Sequence, residues 1–451
     1  MLKRKIEQRL RQWKNSSSKK ALCIIGARQI GKSTSARYFG KENYDVLLEL
    51  NFIEEPKYKD LFDSRSPSQI LLNISTILNK PVVPGKTLLL LDEIQECPEA
   101  RTAIKFLVED GQVDIIETGS LLGVNIHAVS SYPVGFEEIV PMYPLDFEEF
   151  LWAVSTRDET IDALRDAYSN RQPVNPLLHE RMLQLFYRYL VIGGMPEAVR
   201  EYIASQTLNT VATIQKRISD LYRLDILKYA GNAEKIKISN IYESLPSQLD
   251  AKNQRFKLSK LARTARMERY ENSFLWLQEA GIALPCFNIS EVKHPLKLNE
   301  KRNLFRLYLC DCGLLTNSFP ISLQSELLKG QLDANYGSVL ENAFAQAIHS
   351  KELPLYYFDN KKMELDFVVP WQERIQIVEI KSGADWKKHA SLTRALADPE
   401  IQSDEAFVFC KGNVEEENGI VYLPFYMVMF WNEKQPEHPI LLNDADELFG
   451  L

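Results

Sequence analysis

Two sets of residues in this chain have the types and spacing for phosphate chemistry. The first is "GARQIGKST", where Gly26, Gly31, Lys32 and Ser33 fall in the order G-x-x-x-x-G-K-[ST]. Glycines let the backbone wrap a phosphate chain, so that N–H groups along Gly26, Ala27, Arg28, Gln29, Ile30, Gly31, Lys32, Ser33 and Thr34 point inward. Lys32 then reaches the terminal phosphates and the Ser33 hydroxyl ligates Mg²⁺. Its companion is "KTLLLLDEIQ", in which Asp92 would hold Mg²⁺ through water and Glu93 would orient or deprotonate the attacking water. The second set lies in "MELDFVVPWQERIQIVEIKSG" (363–383), two strand-like runs that set Asp366, Glu379 and Lys381 close together, the array from which many metal-dependent nucleases are built.

These residues need particular elements to hold them. Ala21 to Ile25 is an apolar strand leading into the loop, and the helix after the loop adds its positive N-terminal dipole. The run before Asp92 is uniformly apolar, as a central parallel strand covered on both faces would be, with its carboxylate at the edge where such folds bind ligands. A third strand, "VDIIETGS" (113–120), ends in Thr118 and Ser120, polar side chains within reach of a γ-phosphate or its water. Period-two alternation puts Glu379 and Lys381 on one face of their strand. After Pro144 the chain turns helical through "LDFEEFLWAV", "DETIDALRDAYSN", "LLHERMLQLFYRYLVI" and "PEAVREYIASQ". Gly193 and Gly194 break the series, and Pro196 restarts it. "SDLYRLDILKYA" (219–230) reads as a connecting helix.

The segments "GARQIGKST", "LLLLDEIQ", "ETGSLL", "YPLDFEEFL" and "IGGMPEAV" resemble the signature series of a prokaryotic AAA-type ATPase family whose members carry a C-terminal domain of unknown function related to restriction endonucleases. The resemblance covers nearly the whole chain. It implies that the helices after Pro144 are a lid over the nucleotide and that Ser120 is the first sensor residue. It also implies that Glu341, on the helix "YGSVLENAFAQAIHSKE", joins Asp366 and Glu379 as metal ligands, with Lys381 as the catalytic lysine. One departure stands out: family members commonly have a basic residue after the glycine preceding the "PL-F-EF" segment, whereas this chain has Phe136 after Gly135, leaving Arg28 as the nearest substitute. The expected fold class is therefore α/β. It comprises a P-loop AAA-type parallel sheet (1–145), a helical lid and connector (146–230), a winged helix (231–318) and a C-terminal restriction-endonuclease-like α/β domain (319–451).

Residues 252–269, "KNQRFKLSKLARTARMER", hold seven Lys or Arg and one Glu. On a continuous helix, Lys260, Arg263, Arg266 and Arg269 would form one stripe suited to phosphates. Further basic residues follow at Lys293, Lys297, Lys301, Arg302 and Arg306, in the helix, turn, helix, hairpin order of a winged helix. The same stripe would equally serve as a basic face docked on the acidic remainder of the chain, whose formal charge is −7. The six cysteines lack the spacing of a metal site and read as reduced, buried thiols. The charged opening segment and the short apolar runs point to a cytoplasmic protein with no membrane insertion. ATP and Mg²⁺ are the expected cofactors, nucleic acid the expected partner through 252–269, and assembly into homo-oligomers is left open. Two functions compete: an ATPase coupled to DNA binding and cleavage, and a nucleotide-switched protein-interaction ATPase whose closing domain is an inert scaffold.

Overall fold

The computed structural model describes residues 1–17, 19–119, 133, 135–232, 234–250, 255–262, 265–330 and 336–433. Its first sheet contains β1 (Ala21–Ile25), β2 (Val46–Asn51), β3 (Thr87–Asp92), β4 (Asp114–Gly119) and β5 (Glu137–Pro141) in the order β2-β3-β4-β1-β5. Every neighbouring pair is parallel. The helices Lys32–Asn43, Pro67–Leu78 and Pro98–Asp110 lie between consecutive strands. The "LLLL" run is buried throughout because successive side chains enter opposite faces of a sheet covered on both. Leu88 and Leu90 join Leu22 and Ile24 in one core, while Leu89 and Leu91 join Ala21, Cys23, Leu48 and Leu50 in another. The register aligns Asn51, Asp92 and Thr118 at the C-terminal edge.

The helical series follows as Phe147–Ala153, Asp158–Ser169, Pro176–Ile192, Pro196–Ser205 and Leu208–Tyr229. Asp146 starts it with a capping box, accepting the Glu149 N–H while the Glu149 side chain accepts its own. The Gly193–Gly194 break is a packing requirement. A Cβ on Gly194 would lie 2.0 Å from the Leu145 carbonyl oxygen, and one on Gly193 would lie 2.2 Å from Asp311 Oδ1. Asp311 uses the space by accepting the Gly194 N–H at 2.6 Å.

Beyond the helix Lys235–Leu249, residues 252–269 depart from the continuous helix expected of them. The described part has only two 3₁₀ turns, Leu258–Lys260 and Met267–Arg269, and Arg263 lies outside the described residues. Like charges three residues apart oppose a helix, and Leu258, Leu261 and Met267 tether the segment to the core through turns instead. The helix Glu271–Glu279 then leads to the antiparallel hairpin β6 (Ala283–Ile289) and β7 (Glu300–Leu309). Strand β8 (Tyr356–Asp359) pairs in parallel with β6 and antiparallel with β9 (Glu364–Leu365), so the hairpin and the start of the closing region share one sheet. After the helix Gly337–Ser350 and these two strands come β10 (Phe367–Trp371), β11 (Arg374–Lys381), the helix Ala390–Ala397, β12 (Glu405–Cys410), β13 (Glu415–Glu417) and β14 (Ile420–Pro424). Their sheet runs β10-β11-β12-β14-β13. Among the described residues no helix is long and apolar enough to cross a membrane.

Candidate functional site

The phosphate loop is shaped by two glycines with positive φ, Gly26 at 143° and Gly31 at 93°. A Cβ on Gly26 would sit 2.2 Å from the Met142 carbonyl oxygen, so only glycine lets the loop leave β1 this close to the end of β5. Gly31 is the N-cap of Lys32–Asn43, and no side chain bonds to that helix end, where N–H groups and the dipole favour an anion. Lys32 curls back to donate to the carbonyls of Gly26 (3.0 Å) and Ala27 (2.7 Å). Burial lowers its pKa to about 8, against the raising effect of Glu93 and Asp92.

Asp92 is the hub. It accepts from Ser33 Oγ at 2.5 Å, from Asn51 Nδ2 at 2.8 Å and from the Thr118 hydroxyl. A hydroxyl and a carboxylate side by side are hard oxygen donors of the kind Mg²⁺ takes, so the pair fits the expected ion. Glu93 follows in a left-handed conformation, φ 58°, unusual for a residue with a side chain, and it accepts from Gln95 Nε2. Its charge acts on both Lys32 and Asp225. Ser120 lies outside the described residues. Asn51 was missed from the sequence, although its place at the end of a parallel strand beside Asp92 was the available signal.

Arg28 does not turn to solvent. Its guanidinium pairs with Asp225 and donates to the Tyr229 hydroxyl at 3.1 Å, while the Tyr222 hydroxyl donates to the Arg28 carbonyl at 3.0 Å. Tyr229 in turn donates to Glu96, just beyond β3, at 3.0 Å. Three residues of the helix Leu208–Tyr229 thus grip the loop. Burial raises the Asp225 carboxyl to about 6, with Arg28 opposing the shift. From the other side, buried Arg4 donates to the Ile30 and Tyr143 carbonyls at 2.8 and 2.6 Å and pairs with Glu149. Neither Asp225 nor Arg4 carries a local sequence signal, since each meets the loop only through the fold.

At the closing sheet, Lys381 Nζ donates to Glu379 Oε2 at 2.7 Å, as their spacing required. Asp366 accepts the Ile380 N–H at 2.9 Å. Burial, then the neighbouring Asp366, lifts the Glu379 carboxyl to about 8 against Lys381, and Glu379 Oε1 is buried without a partner. Glu341 is held differently. It accepts from Arg306 Nη1 at 3.2 Å and from the Tyr308 hydroxyl at 3.0 Å, yet lies near enough for its charge to act on Lys381. Arg306, expected on the basic face of the hairpin, is instead 3% exposed, stacks over Tyr357 and pairs also with Glu364. Alternation along β7 turns it inward, where two carboxylates supply the countercharge a buried guanidinium needs. The carboxylates of Glu341, Asp366 and Glu379 do not close into a trio. Among the described residues the one trio within 4.8 Å is Cys23, Glu117 and Glu137, where Arg101 already donates to both Glu137 oxygens. Burial, then Glu137, pushes the Glu117 carboxyl well up.

Comparison with known families agrees with the first of these sites. Residues 18–151 match the family model of an AAA domain. The loop, the Asp92 hub and the parallel sheet are those of an AAA-type P-loop ATPase domain. Residues 183–325 and 336–428 match two models described as domains of unknown function, DUF8612 and DUF4143. Among solved structures, a Walker-type ATPase of Pyrococcus abyssi is 14% identical, with 70% of this chain and 95% of that one covered and a TM-score of 0.38. The ORC1 protein of Aeropyrum pernix is 12% identical, with 72% and 90% covered and a TM-score of 0.25. Both likenesses are distant. No curated protein matches the chain.

Proposed function

We propose that this chain is a Mg²⁺-dependent ATPase in which the state of the phosphate loop is passed through the helix Leu208–Tyr229 to a nucleic-acid-binding middle region. The observation that carries the reading is the grip of Asp225, Tyr229 and Tyr222 on Arg28. A group that binds phosphates and a helix that leads into the basic region share one ion pair. In the reaction, Lys32 would release its two carbonyls to hold the terminal phosphates, and Glu93 would orient a water for in-line attack and take its proton. The backbone N–H groups and Lys32 would offset the charge that builds on the phosphoryl oxygens. Mg²⁺, held by Ser33 and through water by Asp92, would supply further neutralisation of that charge. Ser120, by resemblance, would sense the γ-phosphate.

On this reading 1–145 is the ATPase core, 146–230 the lid and connector, 231–318 a winged helix that meets DNA through the described basic residues of 252–269, and 319–451 an endonuclease-like domain. Asp366 and Glu379 would there ligate a metal ion, with Lys381 beside them. The partnerless Glu379 Oε1 suits that role. A second reading, an ATPase switching protein contacts with an inert closing domain, is favoured by Arg306, a fixed cation already engaging Glu341. Two experiments separate them. Titration of duplex DNA with the full chain, alone and with ATP or ADP, should give nucleotide-dependent affinity; equal affinity in all three sinks the coupling. Calorimetry with Mg²⁺ or Mn²⁺ should show a metal site that Asp366→Ala removes without loss of ATP turnover. Heat signals identical in that variant assign the closing domain to the scaffold.

A further inference from the structure

The lid contains a cavity of about 430 Å³ with no part in either site described above. It opens between the ends of the helices Phe147–Ala153, Asp158–Ser169, Pro176–Ile192 and Pro196–Ser205. Its floor is apolar, with Val154, Met182, Leu185 and Ile203, and its rim carries Arg157, Arg181 and Arg188. A second concavity of about 290 Å³ shares Arg181, Leu185 and Arg188, so the two form one groove. Ile203 is 41% exposed in it. Among the described residues, the Arg157 and Arg181 side chains make no hydrogen bond or ion pair, and that of Arg188 makes only a long one, 3.4 Å to the Tyr202 hydroxyl. The basic residue Arg165 on the neighbouring helix pairs with Glu148 and Glu433. Three arginines around an apolar floor ask for a ligand that is both acidic and apolar.

We propose that this groove is a docking site for an acidic, leucine-rich peptide segment, and that its occupant is residues 440–451 of the same chain, "ILLNDADELFGL". That stretch has three carboxylate side chains to set against three arginines and six large apolar residues to set against the floor. The described chain ends against a helix that borders the groove. Glu433 pairs with Arg165, and Phe430 lies under the Arg165 guanidinium. Arg165 belongs to the helix whose first turn supplies Thr160 to the groove, about 7.5 Å away along the axis at 1.5 Å per residue and about 140° around it at 3.6 residues per turn. The six residues 434–439 can span up to ~20 Å, enough to bring the segment onto the groove without help from a second copy. The inference is independent of the nucleotide reading, because no residue of the groove touches the phosphate loop.

The test uses the full-length chain and a fluorescent synthetic peptide ILLNDADELFGL. In wild type the tethered segment should exclude the peptide. In the double variant Leu448→Asp/Phe449→Asp the groove is vacated, and the peptide should bind at least roughly tenfold more tightly than to wild type, with affinity falling as salt rises. Adding Arg157→Ser and Arg181→Ser to that variant should abolish binding. Both arginines are exposed, so folding and ATP turnover should not change. Equal peptide affinity for wild type and the vacated variant, or binding that survives loss of the arginines, overturns the proposal. A wild-type dimer that dissociates in the vacated variant assigns the segment to a neighbouring copy and overturns the intramolecular docking.

Discussion

Replacing Asp225 by Asn keeps the shape of the connector helix and removes the charge that holds Arg28. In the structure the Arg28 guanidinium pairs with Asp225, whose side chain is 7% exposed, and both charges act on Lys32. On the proposed reading, an incoming γ-phosphate would compete with a carboxylate already on Arg28 and would also be repelled by it. A charge-assisted hydrogen bond in a partly buried setting is worth about 1.5–3 kcal/mol. The pair is partly solvated, so the lower end applies, roughly tenfold in a dissociation constant. We expect Asp225→Asn to tighten ATP about tenfold and ADP by less than about threefold, since on the proposed reading Arg28 would meet only the terminal phosphate. In the double variant Arg28→Ala/Asp225→Asn the gain should vanish. The assay is equilibrium binding of fluorescent ATP and ADP analogues with Mg²⁺, run as a double-mutant cycle. Equal tightening of ATP and ADP, or a gain that persists without Arg28, would refute the idea that Asp225 stands in for the γ-phosphate.

Three further outcomes are expected. Lys32→Ala should abolish tight ATP binding, whereas Glu93→Gln should bind ATP and stall phosphate release; turnover at the wild-type rate would remove Glu93 from the mechanism. Because burial lowers the free Lys32 ammonium to about 8 and bound phosphates raise it again, ATP binding takes up a proton above that value. Affinity should therefore be flat below pH 8 and fall as pH rises through it, by up to ~tenfold per unit, a slope that calorimetry across buffers of different ionisation heat would detect as proton uptake. Gly194→Ala, whose Cβ would meet the Leu145 carbonyl at 2.0 Å, should lower stability by roughly 1–3 kcal/mol or more in thermal unfolding, while Gly337→Ala, with nothing within 4 Å, should be neutral or stabilising.

The geometry of the Gly26–Lys32 loop and the strand ending in Asp92 was largely legible because its signals are local. Glycines at fixed spacing, an unbroken apolar strand and a carboxylate at its end each state a backbone requirement within a few residues. Glu379 and Lys381 met for the same reason, through alternation along one strand. What was not legible was made by the fold over long separations. Asp225 reaches Arg28 from about two hundred residues away, and Arg306 looks like a surface cation until β7 turns it toward Glu341. The basic stretch misled in the opposite way: a three-residue charge period imitates a helix face, but like charges and too few buried residues leave its described residues as short turns. The arginine-rimmed groove has no sequence signature either, since its residues come from four helices and the loops beside them.

The β7-β6-β8-β9 sheet has a consequence for how this chain can be divided. Sequence families place a boundary between residues 325 and 336, which invites expressing the closing region alone. Such a piece would carry β8 stripped of β6, an unpaired apolar edge of the kind that recruits other chains into aggregates. It would also lose Arg306 and Tyr308, both of which donate to Glu341. Exchanging closing regions between relatives should therefore succeed only when the β6–β7 hairpin travels with them, and the heritable unit is the hairpin plus the region, across the boundary that sequence comparison draws.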